Sequence, residues 1–184
     1  HPLNQYKNIF NEYKISKYND FISDENNSES MIAATILKIQ EKKTQKGTSY
    51  AIIKFSDLSN VFELFIFSDI FEKNREILYE GNSLMITLIK NYSDESRVQK
   101  KINVKKLVAL NELINKPIKN ITFRFKAFKD LEKLKNLSKE GGETDVKVIF
   151  DKNEEICSFT LKDKRKLNNQ LLNSLNLVEN VINE

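Results

Sequence analysis

Apolar and polar positions along this chain change their period several times, and the changes divide it into elements. Near the start Tyr6, Ile9, Phe10 and Tyr13 recur at i, i+3, i+4 and i+7 behind Pro2, which predicts a short amphipathic helix. The polar run SDENNSES (23–30) then marks a boundary. From residue 31 the period falls towards two. MIAATILKIQ (31–40) predicts a strand, EKKTQKGTS a basic turn around Gly47, and YAIIKFSD (50–57) a second strand. VFELFIF (61–67) predicts a third. Among charges, Ile70, Phe71, Ile77 and Leu78 then predict a helix from residue 68 or 69 to 79. A side-chain oxygen of Ser68 or Asp69 is placed to cap its start, and Gly81 to end it in a left-handed turn. SLMITLIK (83–90) and VQKKINVKKLVAL (98–110) predict the fourth and fifth strands, joined by NYSDES.

Three strands, a helix and two strands follow the order of an OB barrel. The expected fold is therefore an all-β five-stranded OB barrel followed by a small α+β domain. Its divisions are a helical lead-in and linker (1–28), an OB-fold single-stranded nucleic-acid-binding domain (29–112) and an α+β unit (113–184). NELINKPIKN, with Pro117, is the second linker. Beyond it ITFRFKAF predicts a strand, KDLEKLKNLSKE a helix striped by Leu131, Leu134 and Leu137, and VKVIFD with EEICSFTL a hairpin. The closing NNQLLNSLNLVENVINE predicts a helix with Leu171, Leu175, Val178 and Ile182 on one face, a candidate docking stripe for a protein partner. So small a unit folds alone only marginally, which favours support from the barrel or a partner.

Composition narrows the chemistry. Of 184 residues, 30% are charged and 40% hydrophobic, an ordinary globular balance, and the net charge is +4. The only histidine is His1, which leaves a serine or cysteine nucleophile without a base. One histidine and one cysteine cannot make a zinc site. The glycine pair in KEGGET lacks the Lys-Ser/Thr sequel of a phosphate loop. The acidic clusters DEN, SDES and NEE fall in polar turns. No catalysis, metal, cofactor or small-molecule substrate is expected. No apolar run reaches the ~18–20 residues of a membrane span, and no basic start leads into an apolar leader. Cys157, in a strand-like run, has no internal disulfide partner; a buried, inert thiol in a reducing, cytoplasmic setting is expected. An opening His1 in place of Met suggests the interior of a longer protein.

In an OB barrel a single nucleic-acid strand crosses the second and third strands, between the loops joining strands 1–2 and 4–5. The first loop holds Lys42, Lys43 and Lys46. If Ala51, Ile53 and Phe55 face the core, Tyr50, Ile52 and Lys54 face out; with Phe62, Leu64 and Ile66 inward, Glu63 and Phe65 lie outside. Tyr50 and Phe65 then offer flat surfaces for bases, and Arg97, Lys100 and Lys101 continue a phosphate track by the second loop. Glu63 opposes phosphate, so binding is expected to be modest, salt-sensitive and indifferent to base. A lysine-rich turn also suits plain solvation, and the second domain could cover Phe65.

The stretch YAIIKFSDLSNVFELFIFSDIFEKNREILYEGNSLMI resembles the OB domain of the bacterial DNA polymerase III alpha subunit family. The shared features are the strand ending in Asp57, Glu63 in the third strand, the pattern F-x-D-x-F-E-K-x-R-E-x-L from Phe67 to Leu78, and the EG before the fourth strand. HPLNQY is similar to the GHPL stretch preceding that domain, and the region after Lys119 more loosely resembles the family's C-terminal domain. Ser68 replaces a usual proline, Asn60 a common turn glycine, Ile52 an often aromatic outward residue, and Leu88 with NYSDE the usual glycine and basic turn. The resemblance implies a C-terminal polymerase fragment without the catalytic carboxylates, whose barrel contacts single-stranded template DNA. It further implies that the last domain docks the tau subunit of the clamp loader or another replisome protein. Two other readings fit the residues: an anticodon-binding OB domain that takes tRNA, and a scaffold used only for protein interaction.

Overall fold

The computed structural model describes residues 1–92, 99–137, 141–152 and 155–182, and the chain divides into two units, His1–Leu113 and Ile114–Glu184. The first is organised around one long strand. After α1 (Lys7–Glu12) and α2 (Tyr18–Ser23), β1 runs over Glu29–Lys43. Its first half pairs with β4 (Ser83–Tyr92), from Glu29↔Ile89 to Thr35↔Ser83. Its second half pairs with β2 (Ser49–Ser56), from Thr35↔Ser56 to Lys43↔Ser49. The change of partner coincides with a bulge at Leu37, and a bulged strand bends and twists more sharply. Gly81 makes the bend possible. At φ +86° its N–H reaches the Ile36 carbonyl (2.8 Å), while the Ile36 N–H bonds Asn82 O (2.8 Å).

β3 (Val61–Ile66) pairs with β2, and β5 (Gln99–Ala109) with β4, giving an antiparallel sheet ordered β3-β2-β1-β4-β5. Alternation holds as expected: Ala51, Ile53, Phe55, Phe62, Leu64 and Ile66 are buried. The expected closed cylinder is not completed by backbone pairing. Among the described residues no ladder joins β3 to β5, although their Cα atoms come within 8 Å. Side chains fill that seam instead, as set out below. The helix between β3 and β4 is also shorter than its pattern predicts. α3 covers Ser68–Lys73 and a 3-10 turn covers Arg75–Ile77. Its N-cap is Phe67, with no side-chain cap, so neither Ser68 nor Asp69 plays that part. Arg75 ties this segment to β1 by bonding Glu41 (2.7 Å) and Glu72 (2.8 Å), and its guanidinium lies over the Phe71 ring.

The opening residues, expected as a lead-in and linker, include a second helix and pack into this unit. Phe21 joins the core of the five-stranded sheet, and Leu3 and Ile9 are fully buried. Two polar anchors hold α2 at its ends. Buried Asp57 accepts the Tyr18 N–H (3.0 Å) at the start of α2, and also the Ser59 and Asn60 N–H groups (both 2.7 Å) and the Ser59 hydroxyl (3.0 Å). Burial alone would raise its pKa; these donors outweigh it and hold the carboxyl below the ordinary carboxylate range. Lys90, only 5% exposed, donates through Nζ to the Phe21 and Asp24 carbonyls at the other end of α2, and lies 4.3 Å from the Phe21 ring centroid. An ammonium among carbonyls suits a helix C-terminus, where the backbone dipole is negative.

α4 (Leu110–Asn115) leads into the second unit, a four-stranded sheet ordered β8-β7-β6-β9. β6 (Asn120–Phe125) runs parallel to β7 (Asp145–Lys152), and β8 (Glu155–Thr160) returns antiparallel. The predicted helix after β6 is instead a run of 3-10 turns over Phe128–Asn136. Leu131, Leu134 and Leu137 recur every third residue, which stacks them along a 3-10 helix of three residues per turn, and they pack on the unit's core. Gly142 passes so close to the Arg165–Lys166 backbone that a Cβ would lie 2.3 Å from it, which accounts for one of the glycine pair.

The predicted C-terminal helix does not run through. α5 (Asn169–Ser174), capped by Asn168, stops as Asn176 turns left-handed (φ 53°); a 3-10 turn at Val178–Asn180 and β9 (Val181–Ile182) follow. Leu171, Leu175, Val178 and Ile182 therefore form no single stripe. The first three are half-buried against their own core, beside fully packed Leu172 and Leu177, and Ile182 pairs with Thr122 in the sheet. Cys157 departs from expectation too. It is exposed, because β8 is an edge strand.

Candidate nucleic-acid interface

Register alone places one surface of the first unit. Residues opposite each other across β1, β2 and β3 share a face, so Lys38, Lys54 and Glu63 form one row and Gln40, Ile52 and Phe65 the next. Lys42 and Tyr50 continue it, and Phe67 lies just past the end of β3 on the same alternation. All of these lie on the side away from Ile53, Phe55 and Leu64, which are in the core.

The aromatic members of this face touch. Tyr50 and Phe65 stack at 4.8 Å between centroids with 28° between planes, and Phe67 meets Phe65 edge-on at 4.8 Å. Lys101 of β5 reaches across the seam. Its Nζ lies 5.6 Å from the Phe65 centroid and 5.0 Å from that of Phe67, within cation–π range. Three rings and an ammonium thus line the junction of β2, β3 and β5. Such a platform offers π-faces to bases and a positive charge to the phosphate between them. Tyr50 and Phe65 are half-buried and Phe67 is 38% exposed, so the rings are braced yet reachable.

The lysines divide. Lys42 and Lys54 share the face with the rings, but Lys43, opposite Ser49, lies on the reverse of the hairpin. Lys46 is exposed in the turn that Gly47 makes at φ 81°, closed by Thr44 and Thr48 hydroxyls 2.7 Å apart. Arg97 lies outside the described residues, and Lys100 is described only in its backbone. Glu63 stands directly across from Lys54, so part of its charge is countered locally. Three members of the face, Phe67, Lys38 and Gln40, were missed from sequence. Phe67 closes a strand pattern and stands out only within a motif, while Lys38 and Gln40 join the outer face because the Leu37 bulge shifts the alternation by one residue.

Among the described residues no group of three or more His, Cys, Asp and Glu side chains is placed to hold a metal ion. Nor is any described helix long and apolar enough to cross a membrane.

No protein-family model matches the chain. A curated relative, the DNA polymerase III subunit alpha of Rickettsia bellii (strain RML369-C), is 31% identical over 101 residues, or 54% of this chain. The match takes in 8% of that protein, so the chain spans a small part of its relative's length.

Proposed function

We propose that this chain is a non-catalytic module of a replicative DNA polymerase. Its first unit works as an OB-type barrel that guides single-stranded template, and its second docks a replisome protein such as the tau subunit of the clamp loader. The observation that carries the first part is the Tyr50–Phe65–Phe67 cluster under Lys101, flanked by Lys42 and Lys54 on one sheet face. The strand order, the long β1 shared between two partners and the helix between β3 and β4 support an OB barrel whose β3–β5 seam is filled by side chains. The partial likeness to a polymerase alpha subunit supports the replication setting.

Bases stacked on rings give affinity without base choice, and lysines along the strand give salt dependence. Fluorescence anisotropy with labelled oligo(dT), with the matching duplex and with tRNA tests the reading. Oligo(dT) is expected to bind more tightly than duplex, with a slope of log K against log salt of about −3, from roughly 0.7 per phosphate over about four phosphates. Lys42→Ala with Lys54→Ala is expected to flatten that slope by about 1.4. Equal affinity for duplex, or tighter binding of tRNA, contradicts the reading. For the second unit, capture of purified tau subunit by the full chain is the corresponding test.

A further inference from the structure

The second unit's sheet ends on one side at β8, and this edge is unusual in its side chains. Residues 156–160 are all exposed, with Ile156 at 67% and Phe159 at 43%. Natural sheets guard such edges with charges, prolines or bulges, because an unpaired row of N–H and C=O groups recruits another strand. The stretch ICSFT has no charge and no proline, and its register with β7 is unbroken from Lys147↔Thr160 to Lys152↔Glu155. Apolar surface continues past it. Phe128, 63% exposed, packs at 4.3 Å on Phe150, the cross-strand neighbour of Cys157.

The surroundings are basic beside the middle of the edge and beyond Thr160, while Asp151 stands opposite Ile156 and Glu155 opposite Lys152 at the other end. Lys126 and Lys129, both exposed, flank Phe128, which packs on the cross-strand neighbour of Cys157. At the Thr160 end lie Lys147 across the ladder and then the run LKDKRK, where Lys162, Lys164, Arg165 and Lys166 face a single Asp163. Lys164 is engaged with Asp145 (2.9 Å), while Lys162 and Lys166 are exposed. From this arrangement we infer that β8 is a docking edge for an extended acidic peptide, which adds to the sheet as a further strand. Backbone groups of the edge pair with the peptide; Phe159 on one face of the strand and Ile156 on the other each meet an apolar side chain of it, and the lysines beside Phe128 and beyond Thr160 meet its carboxylates. The inference deepens the docking half of the function proposed above and rests on it. It is independent of the nucleic-acid face.

The chain's single thiol gives a local readout, because Cys157 stands in the middle of this edge. The full chain is mixed with a capped peptide of about eight residues, EVVEEVVE, which puts valine and glutamate on both faces of a strand, with KVVKKVVK as the lysine control, and Cys157 alkylation by iodoacetamide is timed. The acidic peptide is expected to slow alkylation roughly tenfold at saturation, and the protection to fade in high salt. Ile156→Thr with Phe159→Thr keeps strand propensity and is expected to weaken binding roughly tenfold. Lys162→Glu with Lys166→Glu, at exposed positions that spare the fold, is expected to do the same. Unchanged alkylation at millimolar peptide, equal protection by the lysine peptide, or protection without peptide that grows with protein concentration would each overturn the inference, the last by assigning the edge to a second copy. Tau capture that succeeds while the thiol stays unprotected by peptide overturns the edge assignment and leaves the docking role of the unit standing.

Discussion

Asp57→Ala is expected to destabilise the first unit by about 3 kcal/mol, measured by urea unfolding with the midpoint and slope fitted together. The carboxylate is 5% exposed and accepts four hydrogen bonds, three from backbone N–H groups and one from a hydroxyl. Hydrogen bonds to a charged acceptor contribute roughly 1.5–3 kcal/mol each, but those from Ser59 and Asn60 belong to a turn that water can reach, so they do not add in full. The Tyr18 bond is different in kind: it joins α2 to the β2–β3 turn, so its loss releases the packing of Phe21 as well. Asp57→Asn, which keeps one acceptor oxygen, is expected to lose about half as much. The pH dependence has a definite sign. The folded carboxyl is held below its unfolded value, so this contribution is complete above about pH 4, the unfolded range, and falls away as pH drops through the lower, folded pKa. Asp57→Asn is therefore expected to flatten the acid limb of the stability curve. An Asp57→Ala protein within about 0.5 kcal/mol of the parent would show that α2 is held by its apolar contacts alone.

Tyr50→Ala together with Phe65→Ala is expected to weaken oligo(dT) binding by roughly 100-fold. Stacking contributes about 1–3 kcal/mol per base, and two platforms lost in the lower half of that range, about 1.4 kcal/mol each, amount to nearly 3 kcal/mol, with tenfold for each ~1.4 kcal/mol. The salt slope is expected to stay unchanged, since no cation is removed, and that separates stacking from charge. Both side chains lie on the outer face of their strands and are only half-buried, so the unit remains folded, as circular dichroism would verify. A double variant that binds oligo(dT) as tightly as the parent would move the binding face elsewhere.

How much of this was legible in the sequence depended on whether a pattern was local. Strand alternation in β2 and β3 depends only on period two, and Ala51, Ile53 and Phe55 fall inward as their spacing requires. Gly81 took the left-handed turn its place before β4 called for. Long-range features left no such trace. The bulge at Leu37 arises because β1 changes partner, and it moved Lys38 onto the outer row. The lysine at position 90 looks like an ordinary strand-end residue until the carbonyls of Phe21 and Asp24 close around it. In the second unit the leucine spacing of three between Leu131 and Leu137 belonged to 3-10 turns, and could have been read so. The C-terminal stripe was undone by Asn176. Asparagine tolerates the left-handed region, so an asparagine-rich tail was a signal that the apolar spacing of four and three concealed.

The central claim is that the outer face of β1, β2 and β3, with Lys101 at its seam, is where a single strand of DNA lies. Two-dimensional amide NMR of the full chain, titrated with a short oligo(dT), locates that contact residue by residue. The account predicts that shifts gather at Lys38–Lys42, Tyr50–Lys54, Phe65–Phe67 and Lys101, while the second unit stays still. Shifts gathered on the second unit, or on the Lys43 side of the hairpin with Tyr50 and Phe65 unmoved, would contradict it.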